Sequence, residues 1–297
     1  MNLRTLETFV AVAKYLNVTH AAAQIHRAQS SVSEQIQSLE ADFGVALFDR
    51  SGRKLSLTSA GVCLLEYALE MLALADEARG AVKDAVGLVD GSLSVGGLET
   101  LCAKRLVAPV AKFCRQFPKA EVRLESSGSE NLRNEVKSGR LDVGFMFGPA
   151  PDDPELDGEA LTAEPLVIIV PTNHRFAGSD ALTAAEFADE PFLVTEVGCV
   201  YRRMFDEVFP ASAKVRPSIV GEFSSIAAIR GMVEVGHGCA LVPRVAVADA
   251  VADGKVGACS WNDGVVSTPL SVIWRRRRIQ ARILREFLAT TRENLRD

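Results

Sequence analysis

The sequence predicts an α/β chain in three parts: an N-terminal winged helix-turn-helix, a long linker helix, and a two-lobed α/β half. Three observations carry this prediction. Before residue 45 the apolar residues recur at helical spacing in three short segments, one of them rich in alanine. From Ser59 to Val89 there is no proline, and apolar residues return near heptad spacing. From residue 92 onward, strand-like and helix-like runs alternate in two successive sets.

The segment "LRTLETFVAVAKYL" (3–16) places Leu6, Phe9, Val10 and Ala13 on one helical face. "THAAAQIHR" (19–27) reads as a short helix with Thr19 as its cap and a break around His26 and Arg27. Ala22 and Ala23 are small enough to let the following helix approach closely. That helix, "AQSSVSEQIQSLEADFG" (28–44), aligns Val32, Ile36, Leu39 and Phe43 along a core-facing stripe and closes at Gly44. Gln29, Ser30, Ser33 and Gln37 lie off the stripe. A face chosen for solubility would carry Lys, Glu and Arg, whereas this one is short and nearly uncharged, and amides and hydroxyls are the groups that pair with base edges at close range. Capping by Ser30 or Ser31 is the alternative reading of the same hydroxyls. "VALFDRSGRKLSLTSAG" (45–61) then holds two short β-type runs around a basic turn, a wing carrying Arg50, Arg53 and Lys54.

The expected domains are a head over 1–58, a linker helix over 59–89 and a two-lobed half over 90–297. In the linker, Leu65, Leu69, Leu72, Ala75, Val82 and Val86 form a seam interrupted by Arg79. A helix of some thirty residues with so narrow a stripe suits pairing with a second copy, and an ordinary long core helix is the alternative. "GLVDGS" (87–92) reads as a hinge. The first lobe is expected over about 92–161 and 266–297, and the second over about 162–265, with "PLSVIWRRRR" and the last helix returning to the first lobe. The first lobe reads as a doubly wound unit with a parallel sheet.

Composition narrows the function. Of 297 residues, 48% are hydrophobic, ample for two domains, and the net charge is −5. Residues 1–58 carry six basic side chains against five acidic ones, so the head is near +1 and the acidity lies elsewhere. So weak a field in one head implies two heads acting together on a polyanion. The N-terminus lacks a charged stretch followed by an apolar core, and no apolar run approaches membrane-spanning length, which points to a cytoplasmic protein without a membrane partner. The six cysteines and four histidines show neither C-x-x-C spacing nor clustering, so no metal site and no disulfide framework is expected. No catalytic motif is present either: no G-x-S-x-G, no H-E-x-x-H, no P-loop. An enzyme, a cofactor and catalytic residues are therefore not expected.

Residues 1–61 resemble, almost without gaps, the winged helix-turn-helix of the LysR-type transcriptional regulators. The resemblance implies that the motif's second helix enters the major groove of promoter DNA, with Gln29, Ser30 and Ser33 facing bases and Arg53 reaching the minor groove. Glu34 departs from the Arg or Gln common in the family: either it points away or it accepts from a cytosine amino group. The stretches "LETLCAKRL", "GSENLRNEVKSGRLDVGFMFG", "GCVYRRMFDEVF" and "EFSSIAAIRGMVEVGHGCALVP" resemble the effector domain of the same family, which is similar to a periplasmic binding protein. That implies a small-molecule effector between the lobes, held by Thr100, Ser127, Ser129, Phe147, Gly148, Cys199, Tyr201 and Arg202, with Ser224 and Ser225 opening a further helix beside them. Helix starts favour anions, so an anionic effector is expected. Thr100, Ser129 and Ser224 equally suit helix caps, and Arg202 equally suits a pair with Asp206 four residues on. The implied partners are operator DNA, the effector, a second or further copies of the chain in a homodimer or homotetramer, and RNA polymerase. A solute-binding protein built on the two-lobed half is the rival reading. The arginines at 275–278 read as an exposed strand end.

Overall fold

The computed structural model describes residues 1–50, 55–84, 91–212, 216–262, 264–277 and 280–295. The contacts divide the chain into a first unit of essentially residues 1–91 and a second containing nearly all the rest.

In the first unit, α1 (Leu3–Tyr15) starts at Asn2, whose side chain accepts from the Thr5 amide, and stops where Leu16 turns left-handed at φ 46°. Helix α2 (Val18–Gln24) is capped by Asn17, whose Oδ1 accepts from the His20 amide at 2.9 Å. The cap thus lies two residues before Thr19, on the stronger of the two capping residue types. Helix α3 (Gln29–Phe43) ends on Gly44 at φ 68°. Strands β1 (Phe48–Asp49) and β2 (Ser56–Leu57) pair antiparallel beneath the wing, and α4 (Ser59–Asp84) follows. Phe9, Val12, Val32, Ile36, Leu39, Leu47 and Phe48 fill the core with Ala21 and Ala22. Ala23 is exposed instead, and Phe43, at the end of the predicted stripe, is 46% exposed. Gly61 lets α4 start against the wing, because a Cβ there would stand 2.1 Å from the Leu47 carbonyl oxygen.

The linker seam divides differently from its prediction. Leu64 and Ala68 are buried against the head, with Leu65, Met71 and Leu72 partly buried on the same core. Two of the expected seam residues are therefore used within the unit, because α1 packs along the first turns of α4. Beside that packed face, Tyr67 and Leu74, seven residues apart and so on one stripe, are 60% and 64% exposed, and Val82, further along the helix, is 71% exposed. Val86 and most of the expected hinge lie outside the described residues.

The second unit opens with β3 (Gly91–Gly97), α5 (Glu99–Lys104), α6 (Val107–Gln116), β4 (Ala120–Ser126), α7 (Ser129–Lys137) and β5 (Val143–Phe147). Helices α5 and α6 do not join into one, because the ring of Pro109 excludes the carbonyl four residues earlier and the chain breaks at Arg105 and Leu106. Then come β6 (Leu156–Val170), β7 (Asp180–Leu182), β8 (Pro191–Thr195), α8 (Val200–Val208), β9 (Ser218–Phe223), α9 (Ile226–Glu234) and β10 (Ala240–Pro243). The chain finishes through α10 (Ala248–Ala252), β11 (Gly257–Trp261), β12 (Ser267–Arg275) and α11 (Arg282–Leu295).

The sheet order is β4-β3-β5-β12-β6-β11-β7, with β10 also paired to β6 and β8 paired to β9 apart from it. Strands β3 and β5 run parallel, as a doubly wound lobe requires, but β12 is antiparallel to both β5 and β6, so the sheet is mixed. The 15-residue β6 belongs to both lobes: its first part pairs with β12 and its last five residues with β10 and β11. Where the lobes meet, Glu164 of β6 is 1% exposed; its Oε2 accepts from Arg105 Nε and Nη2 at 3.1 and 2.5 Å, and its Oε1 from the Val245 amide at 2.9 Å. Phe287 of α11 closes the first lobe, edge-on to Phe113 and Phe145 with ring centres 5.3 and 6.2 Å away.

Candidate nucleic-acid interface and ligand cleft

Helix α3 starts at Ala28 with no side-chain cap, which sets aside Ser30 and Ser31 as capping residues. The first amides of the helix are left for another acceptor, and a phosphate is the anion such a terminus favours. Gln29, Ser30 and Gln37 are exposed and Ser33 is half-buried. Gln29, Ser33 and Gln37 stand at i, i+4 and i+8, one row along the helix, with Ser30 and Glu34 in the row beside it. Glu34 is exposed, so it does not turn into the core.

Two charged side chains, Arg27 at the expected break and Glu40, hold this surface in place. Arg27 donates from Nη1 to Thr8 Oγ1 at 2.5 Å, to the Arg4 carbonyl at 3.3 Å and to Gln35 Oε1 at 3.1 Å, tying the turn before α3 to α1. Glu40 accepts from the amides of Leu47 and Phe48 at 2.9 and 3.2 Å and pairs with Arg50 at 3.4 Å, fixing the base of the wing to α3. Arg50 remains 52% exposed despite this pair. Arg53 and Lys54 lie outside the described residues.

In the second unit a cavity of about 300 Å³ is lined by Thr100, Ser126, Ser127, Thr195, Cys199, Tyr201, Ser224 and Ser225, with Glu99 and Glu196. Helices α8 and α9 start here at Cys199 and Ser225, neither making a side-chain cap hydrogen bond. Tyr201 of the second lobe donates to Thr100 Oγ1 of the first at 2.9 Å, and its ring meets Phe147 edge-on at 6.1 Å. Burial pushes the Tyr201 phenol up to about 12, so it stays a donor at neutral pH. Thr100 bonds Tyr201, and α5 is capped at Leu98 without a side chain, so Thr100 is not its cap.

The expected site residues thus separate into groups. Thr100, Ser127, Cys199, Tyr201, Ser224 and Ser225 converge on this cavity. Phe147 and Gly148 line a different one of about 790 Å³, where the Gly148 carbonyl already accepts from Ser271 Oγ at 2.7 Å. Ser129 opens α7 beside Gly128 but is absent from the lining, and its buried hydroxyl has no hydrogen-bond partner. Arg202 is turned away: its guanidinium is held by Asp206 at 3.4 Å, Glu222 at 3.3 Å and the Thr195 carbonyl at 3.4 Å. Those acceptors sit on its own helix and on β8 and β9, so the side chain satisfies its charge locally and supplies none to the cavity. Sequence reading did not find Glu99, Ser126, Thr195 and Glu196; their neighbours Thr100, Ser127 and Cys199 were the available signal.

His174, Glu190 and Cys239, scattered in sequence, come within 4.8 Å of one another, the one such group among the described residues. His174 Nδ1 accepts from the Phe176 amide at 3.3 Å, so Nε2 carries the proton and donates to Glu190 at 3.1 Å. Burial opposes ionisation of Glu190, but hydrogen bonds from Arg175 and His174 outweigh it and hold the carboxyl below its usual range. Burial raises the Cys239 thiol to about 12. The imidazole therefore has no free lone pair and the thiol keeps its proton, and Glu190 is already paired with the Arg175 guanidinium at 2.7 Å, the pattern of a structural cluster.

Comparison with known proteins agrees with both halves. The profile of the bacterial regulatory helix-turn-helix protein, lysR family, matches residues 3–62, and that of the LysR substrate binding domain matches residues 87–296. The chain is 32% identical over 295 residues to the uncharacterized HTH-type transcriptional regulator YwqM of Bacillus subtilis (strain 168), with 99% of each covered. It is 32% identical over 298 residues to the Hca operon transcriptional activator HcaR of Escherichia coli (strain K12), covering 99% of this chain and 98% of that one. Among solved structures, full-length CbnR complexed with its target DNA superposes with a TM-score of 0.69 at 25% identity, covering 99% of this chain and 100% of that one.

Proposed function

Because the chain belongs to the LysR family of transcriptional regulators, a DNA-binding head joined to an effector-binding half and no enzyme, we propose which of its residues read DNA and which meet the effector. Gln29, Ser30 and Ser33 contact base edges from the first turns of α3, with Gln37 further along. Arg50, Arg53 and Lys54 of the wing neutralise phosphates, and Arg53 enters the minor groove. The observation that carries this reading is the uncapped, exposed and nearly uncharged start of α3. Footprinting on the promoter beside the chain's own gene tests it: protection of an interrupted inverted repeat is expected. Protection of a single half-site would remove the two-headed reading.

Members of this family act as oligomers, and this chain forms a homodimer or homotetramer joined through the exposed residues of α4. Tyr67, Leu74 and Val82 supply its apolar contacts. Leu74→Asp is expected to weaken self-association roughly tenfold, since a carboxylate there would be buried without a partner. Sedimentation at several concentrations measures this, and an unchanged oligomer would move the interface off this face. RNA polymerase is the further partner such a regulator would meet. No described helix is long and apolar enough to cross a membrane, and a regulator that reads DNA works in the cytoplasm.

The effector occupies the cavity at the starts of α8 and α9 and presents an anionic group to their free amides. The hydrogen bond from Tyr201 to Thr100 joins the two lobes across it. Tyr201→Phe is expected to lower stability by about 1 kcal/mol, visible as a melting temperature lower by a few degrees. No change in melting would mean that the bond does not hold the lobes together.

A further inference from the structure

We infer that the ligand of this cavity is a small zwitterion, an anionic group joined to a protonated amine in the manner of an α-amino acid. The inference rests on the reading of the cavity as the effector site and goes beyond it by assigning the second charge. The lining contains no lysine and no arginine, and its two charged side chains are the exposed carboxylates Glu99, from the first lobe, and Glu196, from the second. The nearest expected cation, Arg202, is engaged by Asp206 and Glu222. A ligand that was only an anion would find the amides of α8 and α9 but would enter a space bounded by two like charges. A ligand that was only a cation would satisfy the carboxylates and oppose both helix starts. A zwitterion satisfies both ends.

Thr195 gives an independent sign that a ligand is awaited. It lines the cavity at the end of β8, is 3% exposed, and its Oγ1 has no hydrogen-bond partner. Buried hydroxyls are ordinarily paired, and Thr195 stands in the lining beside Thr100, Ser127, Ser224 and Ser225, whose hydroxyls are donors and acceptors enough for a compact polar molecule. About 300 Å³ is at the small end of ligand sites, room for an amino acid and not for a nucleotide.

The test is calorimetric titration of the full chain with the common amino acids, each set against its 2-hydroxy acid and its decarboxylated amine. At least one amino acid is expected to bind, with its hydroxy acid and amine each about tenfold or more weaker. In a Glu99→Gln, Glu196→Gln variant the preference for the amino acid over the hydroxy acid should vanish, while Thr195→Val should weaken the amino acid and the hydroxy acid alike. Both carboxylates are exposed, so this pair of substitutions leaves the fold intact, as thermal melting would verify. Equal or tighter binding of the hydroxy acid overturns the zwitterion and leaves an anionic effector standing. Binding of the amine alone, or of none of the three classes, overturns both.

Discussion

Glu164→Ala is expected to lower the unfolding free energy of the second unit by about 3 kcal/mol. The carboxylate is 1% exposed and satisfies the Arg105 guanidinium and the Val245 amide together, so its removal leaves a cation and a backbone donor with no acceptor. Such breaks cost roughly 3–5 kcal/mol when both partners are buried; Arg105 is 36% exposed and regains some hydration, which sets the lower end. Glu164→Gln keeps an acceptor for Val245 and should lose about half as much. Trp261 and Trp274 are the only tryptophans and both lie in this unit, so denaturant titration followed by their fluorescence reads the change directly. A Glu164→Ala protein as stable as its parent would show that water reaches the site and replaces the carboxylate.

Gln29→Ala is expected to cost about 1–3 kcal/mol on the cognate operator, a loss of roughly 5- to 150-fold, and little on unrelated DNA. The amide stands exposed on the first turn of α3, where a helix laid in the major groove brings its start to the base edges. A bidentate pair with adenine uses both ends of the amide, and alanine keeps the helix while supplying neither. Gel-shift titrations on the operator and on random sequence at fixed salt separate the outcomes. Equal losses on both would place Gln29 on the phosphate backbone and out of base reading.

The sequence told the head's fold almost residue by residue, because Val32, Ile36 and Leu39 repeat at a helical period that nothing else competes with. It mistook Thr19 for a cap because the better cap, Asn17, stood just outside the segment that looked helical. It placed Leu72 on an intermolecular seam because heptad spacing cannot say which of two neighbours a stripe faces, and the head's own α1 takes the first turns of α4. In the second unit, β7 and β11 went unseen: three and five residues long, they are too short for alternation to rise above the surrounding loop. The cleft was legible at the hydroxyls beside helix starts, since capping and ligand binding draw on the same residue types. Arg202 was misassigned to it because direction around a helix depends on partners distant in sequence, here Glu222 of β9.

Strand β12 lies between β5 and β6 in the sheet, and Phe287 of α11 fills the first lobe against residues made far earlier. On the ribosome, then, the head can fold before the second unit is made, but the first lobe waits until β12 and Phe287 have been made. At elongation rates of about 5–20 residues per second, β5 stands for some ten seconds with the edge that β12 pairs, and the Phe145 ring that Phe287 meets, both open. Premature stops after α10 would release a chain with a finished head and an unfinished sheet. Such fragments are the natural clients of chaperones and proteases.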